Sequence, residues 1–83
     1  MKKKPIEVTI HGIVIAAGWK ENGKVTAVDI AGYDEQRYSV AEDHAGDELR
    51  TFTQKRVIVN GVVDMEENRK TIHVHRFRIV TSD

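Results

Sequence analysis

Eighty-three residues with 40% apolar side chains provide for one small hydrophobic core and no second one. Thirteen Lys and Arg balance thirteen Asp and Glu, which excludes an acidic tail, a histone-like basic arm and a chain held open by its own charge. The absence of cysteine removes disulfides, thiolate metal sites and thiol catalysis together, so only nitrogen and oxygen ligands remain for any metal.

At the N-terminus, Met1 and three lysines (Lys2, Lys3, Lys4) precede an apolar stretch that ends near Ala16, Ala17 and Gly18, the outline of a secretory signal. Pro5, Glu7 and His11 interrupt that stretch, and Ile6, Val8 and Ile10 alternate with Glu7, Thr9 and His11 at the period of a half-buried strand. The uncharged run from Val8 to Trp19 is also far short of the ~20 residues that cross a bilayer. These features favour a complete cytoplasmic protein, one domain over residues 1–83 with a flexible basic leader at 1–5.

Ile6 to Trp19 reads as one long strand with Gly12 in its middle, a position that marks a bulge or a tight bend. Asn22-Gly23 predicts a type I′ hairpin, for which both central residues take positive φ. A second strand follows over Lys24 to Tyr33, a turn at Asp34-Glu35, and a short third strand from Arg37 to Val40 with Tyr38 and Val40 on one face.

Between Glu42 and Phe52 the alternation stops. Leu49 and Phe52 stand three apart, as on one face of a short helix, and Glu42, Asp43, Asp47 and Glu48 are read as capping and solubilising charges. After Lys55, Val57, Val59, Gly61 and Val63 alternate with Ile58, Asn60 and Val62, a strand apolar on both faces with another central glycine. A polar turn over Asp64 to Arg69 leads to a last strand, Thr71 to Val80. A bulge near His75 or Arg76 would keep Ile72, Val74, Phe77 and Ile79 inside and leave His73, His75, Arg76 and Arg78 outside.

Three strands, a helix and two strands, with glycines inside the first and fourth strands and the run Lys55-Arg56-Val57-Ile58-Val59-Asn60-Gly61-Val62-Val63, resemble the OB-fold, a five-stranded Greek-key barrel. The resemblance covers about Ile6 to Val80 and implies a mainly β protein: a small five-stranded OB-like barrel with one short helix between strands 3 and 4. It also implies that ligand meets strands two and three, Lys24 to Val40, flanked by the loops Trp19 to Lys24 and Asp64 to Lys70.

Single-stranded nucleic acid on such a face needs stacking aromatics beside cations. Trp19 and Tyr33 are the candidate platforms, and Lys20, Lys24, Arg37, Arg69 and Lys70 the candidate phosphate contacts. Tyr38 also falls on this segment but is in phase with Val40 and goes to the core. With zero net charge, binding of this kind would be weak and salt-sensitive.

His73 and His75 place two imidazoles about 6.6 Å apart along one strand face. A zinc site needs three or four ligands, and His11 would have to come from the first strand, which in the OB-like order is no neighbour of the last. No metal and no cofactor are therefore assigned. Ser39 and Ser82 lie in no nucleophile turn, and no glycine-rich phosphate loop exists, so no catalytic residue is assigned either. The expectation is a non-enzymatic OB-like module for single-stranded nucleic acid or a nucleic-acid-associated complex. The alternative is a protein-interaction or assembly module working through strand edges, favoured by a pI near 6.9.

Overall fold

The computed structural model describes residues 7–42 and 44–81, with residues 44 and 45 as backbone alone. The expected leader at 1–5 lies outside the described residues. The elements are β1 (Glu7–Trp19), β2 (Val25–Gly32), β3 (Arg37–Val40), α1 (His44–Leu49), a single 3-10 turn (Arg50–Phe52), β4 (Arg56–Glu66) and β5 (Arg69–Ile79). The strands close into a barrel in the order β1-β2-β3-β5-β4, with β3 and β5 parallel and every other pair antiparallel. This is the OB-like barrel with its short helix between strands 3 and 4.

β1 serves both halves of the barrel. Glu7 to Ile13 pair with β4, and Gly12 to Trp19 pair with β2, so Gly12 stands in both ladders, opposite Val57 and opposite Gly32. A Cβ at Gly12 would stand 2.5 Å from the Ala31 carbonyl oxygen, so only glycine lets the two ladders meet there. The register runs through Gly12 without a break. Its shifts fall instead between Ala16 and Trp19, around Gly18. Of the bulge or tight bend expected at Gly12, the structure has the bend, a coil within unbroken ladders.

The expected bulge in β5 is present. Asn60 pairs with Arg76 while the next residue, Gly61, pairs with Val74, leaving His75 as the extra residue. The shift resets the alternation: Ile72 and Val74 are buried, Phe77 and Ile79 pack against the core, and His75, Arg76 and Arg78 are exposed. The core also takes Ile10 and Val14, Val28 and Ile30, Tyr38 and Val40, and Val57 and Val59, with Leu49 of α1 fully enclosed. Phe52 meets Phe77 edge-on, ring centroids 6.0 Å apart.

The turns depart from expectation. The Lys20 N–H donates to the Lys24 carbonyl (2.8 Å) and the Gly23 N–H to the Lys20 carbonyl (2.9 Å), while Gly23 alone of the pair has positive φ, 86°. This is a three-residue loop with a left-handed third residue, not a type I′ turn. Asn22 is held out of the left-handed region because its Oδ1 accepts the Lys24 N–H at 3.0 Å.

The β2–β3 turn repeats the device. The Gly32 N–H donates to the Gln36 carbonyl, the Glu35 N–H to the Gly32 carbonyl, and Asp34 Oδ1 accepts the Gln36 N–H at 3.0 Å. Here Glu35 occupies the left-handed position at φ 66°. Glu35→Gly is thus expected to stabilise the fold by about 0.5–1 kcal/mol, read as a higher urea midpoint; a lower midpoint would contradict the turn assignment. The β4–β5 connection is shorter than expected, since both strands run on to leave only Glu67 and Asn68, at φ 53° and 64°. That pair is the type I′ turn, in a sequence without the Asn-Gly signal.

Candidate nucleic-acid interface

Cross-strand register puts Ile15, Asp29, Ser39 and Thr71 in one row across β1, β2, β3 and β5. Around this row lies a hollow of about 350 Å³ lined by Ala17, Asp29, Arg37, Ser39 and Arg69. It occupies the outer face of β2 and β3, between the distal arm of β1 and the start of β5, which is where an OB-like barrel presents its ligand face. Arg37, diagonal to Asp29 across the ladder, donates from Nε to Asp29 Oδ2 at 2.7 Å. Arg69 is exposed and forms no ion pair among the described residues.

Of the residues nominated from the sequence, the hollow brings together Arg37 and Arg69. Trp19 ends β1 opposite Val25 and is 63% exposed, with Lys20 and Lys24 exposed on the adjoining loop. Tyr33, 60% exposed, lies beyond the other end of β2, about 25 Å away along an eight-residue strand. The two aromatics therefore flank the face and do not form a continuous stack.

Lys70 is drawn elsewhere. Its Nζ donates to Gln36 Oε1 at 2.7 Å and stands 5.8 Å from the centre of the Tyr38 ring. Tyr38 belongs to the core, with its hydroxyl donating to Asp34 Oδ2 at 2.9 Å. The Gln36 N–H, and after it the Tyr38 hydroxyl, hold the Asp34 carboxyl below the usual carboxylate range. Burial, and after it the Asp34 carboxylate, push the Tyr38 phenol up.

Sequence reasoning gave Asp29, Ala17 and Ser39 no binding role, although Asp29 and Ser39 fall within the implied ligand face. Asp29 lies in phase with Ala27 and Ala31 between the buried Val28 and Ile30, so its outward placement was legible, but its contact with Arg37 required the β2–β3 register.

The two histidines of β5 do not act together. His75 Nδ1 is 2.9 Å from Glu7 Oε2, and His73 Nε2 is 3.3 Å from Glu66 Oε2. Asp64 joins His73 and Glu66, with the three ligand atoms within 4.8 Å of one another on the exposed β4–β5 hairpin. His11 is remote from this group: it pairs with Ile58, four residues or about 13 Å along β4 from Val62, which pairs with His73. At the far end of the barrel a second hollow, about 470 Å³, has an apolar floor of Phe52, Ile79 and Val80, with Lys55 and Arg56 among its other lining residues.

Compared with known proteins, the chain matches no family model, and no curated protein or solved structure is significantly similar to it.

Proposed function

We propose that this chain is a non-enzymatic OB-like binding module that takes single-stranded nucleic acid across the outer face of β2 and β3. The hollow carries the reading. It is an open recess flanked by the β1 arm and the β5 start, with Arg69, which forms no ion pair among the described residues, on its wall and an exposed tryptophan at the end of β1. Arg69 and the Lys20–Lys24 loop supply phosphate contacts, Trp19 a stacking surface, and Ser39 a hydroxyl for hydrogen bonding. Asp29 repels phosphate and neutralises Arg37, so base edges with exocyclic amines are the groups it accepts. Three such cations give weak, salt-sensitive binding, with a slope of about −0.7 per neutralised phosphate.

Titration of Trp19 fluorescence with short single-stranded oligonucleotides is expected to show quenching at low salt, with a log–log salt slope near −2 for three contacts. Arg69→Gln should reduce that slope by about 0.7. No spectral change at high micromolar oligonucleotide would end this reading. Assembly through strand edges finds less support in a barrel closed through β1 and β4. Concentration-dependent sedimentation indifferent to oligonucleotide would reverse that ranking.

A further inference from the structure

We propose that the outer wall formed by β1, β4 and β5, on the opposite side of the barrel from the β2–β3 face, is a second contact surface that takes the phosphate backbone of a nucleic-acid duplex on Lys55, Arg56, Arg76 and Arg78. β4 runs between β1 and β5 here, and register sets adjacent rows: Thr9–Asn60–Arg76, then His11–Ile58–Arg78, then Ile13–Arg56. Arg76 and Arg78 are two residues apart on one face, about 6.6 Å along the strand, and Arg56 is diagonal to Arg78, about 7–8 Å away. Lys55 immediately precedes Arg56 and shares the hollow at the end of the wall with it.

All four cations are exposed, and none forms an ion pair among the described residues. Glu7, in the row next to Thr9–Asn60–Arg76, is paired with His75, and Glu66, farther along β4, with His73. Thirteen acids and thirteen bases cancel over the chain, so this uncompensated group is a segregation of charge that the net value conceals. The β5 bulge produces it, because without the extra residue Arg76 and Arg78 would alternate inward.

The chemistry of the wall selects the ligand. The exposed aromatics stand at the two ends of β2, and Phe77 packs against the core, so stacking contributes nothing on this side. Binding here rests on charge and on guanidinium forks, which match phosphate oxygens. A duplex offers the densest such array, one charge per about 1.7 Å of axis. Asn60, already bound to Thr9 Oγ1 at 2.6 Å, sits beside Arg76 and fixes the row.

The inference does not depend on the β2–β3 reading, and two variants separate them. Anisotropy of a short labelled DNA duplex is expected to give a salt slope of about −3.6 for four contacts, so that affinity falls by about two orders of magnitude between 50 and 200 mM salt. In R76Q/R78Q the slope should drop to about −1.8, with affinity at 50 mM lower by up to about a hundred-fold. Arg69→Gln should leave duplex binding unchanged. Both arginines are exposed, so melting of R76Q/R78Q should match the parent; if it does not, R78Q alone should lower the slope by about 0.9. Absence of duplex binding at high micromolar protein and low salt, an unchanged slope in R76Q/R78Q, or an equal loss in Arg69→Gln would each overturn the proposal.

Discussion

Gly61→Ala is expected to destabilise the barrel by about 3 kcal/mol, the upper end of what overpacking costs. A Cβ there would stand 2.2 Å from the His73 carbonyl oxygen, 3.0 Å from its carbon and 3.1 Å from the Val74 Cα. All three are backbone atoms of the facing strand, so no side-chain rotation can relieve the contact, and β4 and β5 must separate where the bulge holds them closest. A domain of this length has roughly 4–12 kcal/mol in all, so the loss is a large share of it. Urea unfolding followed by far-UV circular dichroism measures it. Gly23→Ala is the comparison: nothing lies within 4 Å of its Cβ, and only its φ of 86° resists, at about 1 kcal/mol. Equal losses in the two variants would mean that the close approach at Gly61 is not real. Parting the strands should also relax the bulge, so at temperatures where the variant remains folded its duplex salt slope should fall with that of R76Q/R78Q.

The elements most legible in the sequence were those whose alternation had one solution. The run Ile72, Val74, Phe77, Ile79 is out of phase by one residue, and burying all four demands an extra residue between Val74 and Phe77, where His75 stands. Gly12 and Gly61 were legible as curvature for a similar reason, since an apolar strand gains nothing from a glycine unless another backbone needs the space. Turn chemistry was less legible. Asn22-Gly23 is the strongest hairpin signal in the chain, yet the Asn22 side chain binds the Lys24 N–H and selects a longer loop. The type I′ turn falls on Glu67-Asn68, which local propensity disfavours and strand pairing imposes.

The candidate site was legible as a region but not as a set of contacts. Arg37 and Arg69 come from strands that meet only through the β3–β5 pairing, two residue pairs long, and neither Asp29 nor the position of Lys70 over Tyr38 follows from periodicity. The crowding of cations on the last two strands was visible in the sequence, but which of them share a wall depends on register. Lys70 and Arg69 are consecutive and go to different places, Lys70 to Gln36 and Arg69 to the wall of the hollow, whereas Arg56 is distant in sequence from Arg76 and Arg78 yet lies in adjacent rows with them.

Leu49→Ala is expected to cost about 2–5 kcal/mol, a fall in Tm of roughly 10–20 °C or more for a domain of this size. α1 has six residues, too few to hold together alone, so its place depends on packing. Leu49 is its fully enclosed side chain, and Gly46 brings the helix so close that a Cβ would stand 2.3 Å from the Ala41 carbonyl oxygen. Truncating Leu49 leaves a cavity at the barrel end that neither feature can close, and the 3-10 turn carrying Phe52 onto Phe77 follows directly from α1. Leu49→Met, which preserves volume, should cost less than about 1.5 kcal/mol. Neither proposed binding surface includes α1, so Leu49→Ala measured well below its melting point should bind both oligonucleotide and duplex like the parent. A loss of less than about 1 kcal/mol would show that Leu49 does not seal the barrel, because the transfer of its three lost methylenes alone costs about 2 kcal/mol even where no cavity is left.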